Sequence, residues 1–164
     1  MKEISPADIR VNPFKLFGSD WTLITAGTKK SCNTMTASWG GFGVLWDKNV
    51  CFCFVRPVRH TYQFLEKNDR FSLSFFDEKY RSALNYCGSN SGRDTDKIAG
   101  SGLTPVEEFG TVYFKEARLV VICEKIYFED FDPKNFRDPK IAAFYPLKDY
   151  HRMYLGGIVT CLAG

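Results

Sequence analysis

Hydrophobic and polar positions alternate along much of the chain, most plainly in "NTMTASW" (33–39), where Thr34, Thr36 and Ser38 interleave with Met35, Ala37 and Trp39. A period of two puts each set on its own face of a strand. The polar face here carries short hydroxyls rather than long charged side chains, which leaves the backbone approachable. Glycines 40, 41 and 43 then break the strand. "WTLITAG" (21–27) predicts a strand ended by Gly27, joined to the hydroxyl strand through "TKKSCN". "VLWDKNVCFCFV" predicts a polar turn at Asp47-Lys48-Asn49 followed by an apolar strand over 50–55. "RFSLSFF" (70–76), "TVYFKEARLVVICEKIYFED" (one or two long strands) and the closing "RMYLGGIVTCL" complete the β pattern.

Helical signals are short. "RPVRHTYQFLEKND" changes period, with Thr61 as a helix cap and Tyr62, Leu65 and Glu66 in a helix ending near Asn68-Asp69. "EKYRSALNYCG" (78–88) predicts a helix stopped by Gly88, and one helical turn is expected around Asp94 to Ala99. "FDPKNFRDPKIAAFYPLKDYH" reads as loop with a short element. Most of the core must therefore come from strands. The pattern predicts one domain over 1–164, mainly antiparallel β, closed or nearly closed so that its edges are hidden.

A length of 164 residues with 45% hydrophobic positions suffices for one buried core. The 15 Phe, 8 Tyr and 3 Trp fit a well-filled β core, and aromatics also line sites for flat ligands. Net charge is +3 with scattered Lys and Arg and no basic stripe, which argues against a nucleic-acid partner. A few local basic residues suit a single anionic small molecule better. No apolar run reaches membrane-spanning length and the N-terminal stretch has no apolar signal core, so a cytoplasmic protein without a membrane partner is expected. The six cysteines show no C-x-x-C and no metal-ligand spacing to His60 or His151, and most are read as buried reduced thiols.

The chemistry-bearing residues gather around one kind of site. The hydroxyl strand is followed by "VRPVRHT", where Arg56, Arg59 and Thr61 meet the start of a helix. Free N–H groups and the positive dipole end at a helix start, joined by two arginines, suit a phosphate. The same arginines could equally be solvated or paired with Glu66 or Asp69, Trp39 could be core, and "SGRDTDK" (91–97) could be an ordinary polar loop. No nucleophile elbow is present, no phosphate-binding G-x-x-x-x-G-K-[ST], and no G-x-G-x-x-G opening a helix. "GGFG" (40–43) has neither lysine nor helix behind it. His151 reads as a surface histidine at a strand entry, with a place near a bound ring as the alternative.

The run "NTMTASWGGFGVLWDKNVCFCFVRPVRHTYQFLEKNDRFSLSFF", continued by "SGRDTDKIAGSGLT" and "YHRMYLGGI", resembles the flavin reductase-like family, the FMN-binding split barrels that include flavoredoxins. The resemblance spans most of 20–160. It implies a six-stranded antiparallel Greek-key split barrel with a few short helices, usually a homodimer with FMN near the subunit interface. Carried over by motif, Thr34, Met35, Thr36, Ala37, Ser38 and Trp39 would run beside the isoalloxazine and ribityl chain. Arg56, Pro57, Arg59 and Thr61 would surround the phosphate, and Gly92, Arg93 and Lys97 would close the site. The implied activity passes electrons from NAD(P)H through FMN to a small-molecule or protein acceptor. An electron carrier with bound FMN and no direct NAD(P)H reaction is the alternative, and a barrel that has lost flavin is a third.

Overall fold

A computed structural model describes residues 1–164. Its strands are β1 (Lys2–Ile4), β2 (Thr22–Thr28), β3 (Ser31–Ala37), β4 (Gly40–Leu45), β5 (Lys48–Val55), β6 (Arg70–Phe75), β7 (Pro105–Glu108), β8 (Thr111–Phe114), β9 (Leu119–Asp130) and β10 (Arg152–Ala163). The helices are α1 (Pro13–Lys15), α2 (His60–Lys67), α3 (Arg81–Ser89) and α4 (Lys97–Ser101). The main sheet runs β3-β2-β6-β9-β10-β5-β4, with β1 added to β10 and β7–β8 as a separate hairpin. All pairings are antiparallel.

The two ends of that path, β3 and β4, are consecutive in the chain and joined only by Ser38 and Trp39. A link this short forces the sheet to roll until its end strands come together, although they do not pair. The result is a split barrel. Its path from β3 to β5 contains the six expected strands; β4 extends it, and β1 and the β7–β8 hairpin bring the total to ten.

Gly40 and Gly41 permit the crossing at the seam. A Cβ on Gly40 would stand 2.6 Å from the Phe17 ring and 2.7 Å from the Phe52 carbonyl oxygen, and one on Gly41 would stand 2.5 Å from the Phe52 ring. The glycine run, expected to break a strand, instead lies in one: Gly40, Gly41 and Gly43 belong to β4 and pair with β5.

Two apolar cores explain the strand sequences. Ile24, Met35, Cys53, Phe71, Leu73, Val121 and Tyr154 fill the barrel interior. Leu23, Leu84, Cys87, Phe114, Val120 and Ile122 pack outside it, under α3 and the β7–β8 hairpin. Strand β2 and the first five residues of β9 (119–123) contribute to both cores and are buried on both faces, whereas β9 beyond Cys123 is largely exposed. Cys51 and Cys53 share the interior face, as alternation predicts, and all six cysteines are free. Burial raises the thiol pKa of Cys53 and Cys161, which keeps both as inert core.

Three local expectations are corrected. The β4–β5 turn centres on Trp46 and Asp47, both at positive φ (52° and 55°), one residue earlier than expected. Thr61 lies inside α2; Arg59 is the N-cap and makes no side-chain capping bond. Gly88 does not stop α3, which runs on to Ser89; its missing side chain instead lets the helix lie on β3, where a Cβ would meet Thr36 at 3.3 Å. No helix is long and apolar enough to cross a membrane.

Candidate functional site

Beside the seam of the barrel lies a cavity of about 550 Å³ with three walls. The first is β3 from Met35 onward with the Ser38–Trp39 link; the second is the turn after β5, with Arg56, Val58, Arg59, His60 and Thr61; the third is Ser89–Ser91 with Arg93 and Lys97. Because β3 pairs only with β2, its outer backbone N–H and C=O groups have no strand partner. A free edge of this kind is a row of hydrogen-bonding groups available to a ligand.

The hydroxyls of this strand do not all face the cavity. Thr34 is fully buried, its Oγ1 lying 2.9 Å from Thr25 Oγ1, and it does not line the cavity. Thr36 donates to the Leu84 carbonyl, which ties β3 to α3. The short side chains let neighbouring elements close on the strand, and what faces the cavity is its backbone edge. Ser38 and Trp39 line the cavity beyond the end of β3.

The second and third walls bring together cations without counter-ions. Arg59 donates to the Gly88 carbonyl (3.2 Å), Arg93 to the Val58 carbonyl (2.9 Å) and Lys97 to the Cys87 carbonyl (3.0 Å). None of the three is in an ion pair; the basic partners in the chain's salt bridges are Lys15, Arg56, Arg81, Arg118 and Arg152. Lys97 is only 5% exposed, and burial pushes its ammonium below the usual lysine range, with Arg59 adding to that effect against the opposing pull of Cys87.

The N-terminus of α2 opens on the same space. The backbone N–H groups of His60 and Thr61 have no partner, since Arg59 supplies no side-chain cap. His60 Nδ1 is also buried without a hydrogen bond. Desolvation, reinforced by Arg93 and Lys97, pushes His60 below the usual histidine range. Uncompensated cations, unpaired N–H groups and a helix N-terminus make an anion site. Thr61 locks its geometry: its Oγ1 accepts from Asn33 Nδ2 at 2.7 Å, joining α2 to β3.

Arg56 stands apart. It pairs with Asp149 (3.1 Å), donates to the Phe144 carbonyl (2.8 Å) and lies over the Tyr145 ring. Its charge is matched within the protein, so it pins the segment between β9 and β10 to the cavity mouth. Neither carboxylate raised as a partner from sequence, Glu66 or Asp69, takes that place; Glu66 binds Arg152 instead. Pro57 and Gly92 do not line the cavity. Gly92 backs its third wall, where a Cβ would stand 2.0 Å from Asn33 Oδ1, so only glycine lets that loop rest on β3.

The far end is aromatic. Trp39, 43% exposed, meets Phe144 edge-on at 5.7 Å and His151 at 5.2 Å, with Phe54 alongside. His151 is not a surface residue: it is 8% exposed, its Nδ1 lies 2.7 Å from the Tyr145 hydroxyl, and it lines the cavity. Desolvation, with Arg56 as the next cause, lowers its pKa to about 4, so the ring is neutral at pH 7. Sequence reasoning missed Asn33, Phe54, Val58, His60, Ser89, Asn90, Ser91 and Asp149. The polar run at 89–91, following a helix, was the one signal available for part of that set.

A rolled antiparallel sheet whose two end strands meet at a seam without pairing defines a class, the split barrels, here with a cavity that carries cations at one end and aromatic rings at the other. The chain belongs to the flavin reductase like domain family, whose domain matches residues 14–131. Solved structures share the whole fold at low identity. An FMN-binding protein from Thermus thermophilus superposes with a TM-score of 0.71 at 20% identity, covering 99% of this chain and 78% of its own. Flavoredoxin of Desulfovibrio vulgaris gives 0.69 at 20%, covering 100% and 77%. The styrene monooxygenase flavin reductase of Pseudomonas putida gives 0.65 at 15%, covering 90% and 81%. No curated protein matches the sequence.

Proposed function

We propose that the cavity binds FMN and that the protein passes electrons from NAD(P)H to a small-molecule or protein acceptor. The observation that carries this reading is the convergence of Arg59, Arg93 and Lys97, none in an ion pair, on the uncapped start of α2 beside the free edge of β3. The residues present fit FMN at both ends. The three cations and the N–H groups of His60 and Thr61 would hold the phosphate. The β3 edge from Met35 to Ala37, with Ser38 beyond it, would hydrogen-bond the polar rim of the heterocycle, and Trp39 would cover its apolar part. Bound FMN supplies the redox chemistry, accepting a hydride and passing electrons on. The chain's own residues hold it, orient it and exclude water.

The visible spectrum of the purified protein, followed by anaerobic addition of NADH and NADPH separately, tests the reading. A flavin spectrum that bleaches with either is the expected result and names the donor. A flavin that stays oxidised would make the protein an electron carrier, the role that the name of its flavoredoxin neighbour suggests. A protein that carries no flavin and takes none up would end the proposal.

The protein is also proposed to act as a homodimer. Besides the family expectation, Trp46 (59% exposed), Ile126, Tyr127 and Phe128 leave apolar surface open on the β4–β5 turn and β9. Light scattering at micromolar concentration is expected to give twice the 18.8 kDa chain mass; the monomer mass would refute it.

A further inference from the structure

Behind the loop that forms the cavity's third wall lies a second cleft of about 740 Å³. One side is the start of β3 with the turn before it, Lys29 to Asn33. The other is the stretch from Gly92 to Ala99, with Leu103 and Pro105 beyond. Arg93 and Lys97 line both spaces, so two of the cations assigned to the FMN phosphate also face the second cleft.

The walls of this cleft are fixed. Lys29 and Lys30 occupy a two-residue turn closed by the Thr28–Ser31 pair. The Lys29 backbone N–H donates to Glu107 Oε2 at 2.8 Å, which ties the turn to β7. On the other side Gly92 rests against Asn33, and Asp96 accepts from the Ile98 and Ala99 N–H groups at 3.1 and 3.0 Å. Glu107 and Asp96 therefore have backbone partners, whereas Lys29, Lys30 and Asp94 are exposed and in no ion pair. Three kinds of surface meet in the cleft: free cations, a free carboxylate, and an apolar wall made by Ile98, Leu103 and Pro105.

We propose that the second cleft takes a nucleoside monophosphate group. Each surface answers one part of that group. Lys29 and Lys30, with Arg93 and Lys97 shared across the loop, face the phosphate. The Asp94 carboxylate only accepts hydrogen bonds, which suits the hydroxyl donors of a ribose. The apolar wall offers a face to a flat base. A bare phosphate would use neither the carboxylate nor the apolar wall. Two sources supply this chemistry: the adenylate tail of FAD, whose other half would then fill the first cavity, or a separate nucleotide. Only the first source rests on the proposed function, through the FMN phosphate placed at Arg93 and Lys97.

Calorimetric titrations of FMN, FAD and AMP into the flavin-free protein test the proposal. FAD is expected to bind about tenfold more tightly than FMN, the effect of one charge-assisted bond made by the tail. The double variant Lys29→Ala, Lys30→Ala and, separately, Asp94→Ala should remove that advantage and leave FMN affinity unchanged, which also shows that the variants fold. Equal affinity for the two flavins, with AMP binding to the FMN-loaded protein and losing affinity in the same variants, would support the cleft and assign it to a separate nucleotide. Equal flavin affinities without AMP binding would overturn the proposal, as would variants that weaken FMN and FAD alike. AMP binding that depends on Lys29, Lys30 and Asp94 in a protein that takes up no flavin would end the proposed function and leave the cleft standing.

Discussion

Lys97→Met is expected to weaken FMN binding ten- to a hundredfold while leaving the ligand-free protein at least as stable as wild type. A charge-assisted hydrogen bond to phosphate contributes about 1.5–3 kcal/mol, which is that range in affinity. In the ligand-free protein the same ammonium is a liability. It is 5% exposed, has the Cys87 carbonyl as its one hydrogen-bond acceptor, and lies near Arg59 with no carboxylate in ion-pair range. Methionine fills similar space and removes the buried charge, whose desolvation costs several kcal/mol, at the expense of one charge-assisted bond to Cys87 worth about 1.5–3 kcal/mol. Arg59→Met should act in the same direction on affinity. Fluorescence titration with FMN and urea midpoints of the ligand-free proteins measure the two quantities. Unchanged affinity in both variants would remove them from the phosphate site. A large loss of ligand-free stability in Lys97→Met would instead make the lysine structural. Arg56→Met is the contrasting case, because its partners are Asp149, Phe144 and Tyr145. Its main effect should be to loosen the segment between β9 and β10.

Why Lys97 and Arg59 could be picked out from sequence, and Asp149 could not, follows from the range of the signals involved. Strands were legible because alternation is local: β2, β3, β5, β6 and β10 all fall where the pattern places them. The positive-φ pair at Trp46-Asp47 was not, because the Asp-Lys-Asn cluster one step later looks like a better turn and the register of the β4–β5 hairpin overrides it. Gly88 looks like a helix stop because glycine ends helices, but here it answers a contact with Thr36 contributed by a strand some fifty residues earlier. The site divides in the same way. Met35, Thr36, Ala37, Ser38, Trp39, Arg56, Arg59, Thr61, Arg93 and Lys97 line one cavity, whereas Thr34, Pro57 and Gly92 do not. Their roles were less legible than their places. Thr36 serves the packing of α3, Thr61 serves Asn33, and Arg56 serves Asp149, each through a partner distant in sequence. His151 carried no local sign of burial; aromatic residues from three separate stretches bury it.

The burial of His151 also predicts how the protein responds to acid. In the folded chain its pKa is lowered from 6.5 to about 4, first by desolvation and then by Arg56. The unfolded chain therefore binds more protons between these two values, and stability must fall as pH falls through that window. The contribution is fully present above pH 6.5 and fully lost below about 4, and the gap corresponds to about 3 kcal/mol. The groups facing the ring from neighbouring elements are Arg56 and Arg59, which oppose its protonation, Asp149, which favours it, and the Tyr145 hydroxyl, which occupies Nδ1. Asp149 and Asp130 are held below the usual carboxylate range by Arg56 and Arg152, and they add an acid dependence of their own. Comparison with His151→Gln separates the two sources, since glutamine retains a polar side chain but does not titrate. Urea midpoints from pH 8 to pH 4 should show wild type losing stability faster than the variant below pH 6.5, with the difference between them shifting by about 3 kcal/mol across the window. Parallel profiles would show that the histidine protonates equally well in both states, and the burial that places it in the cavity wall would have to be abandoned.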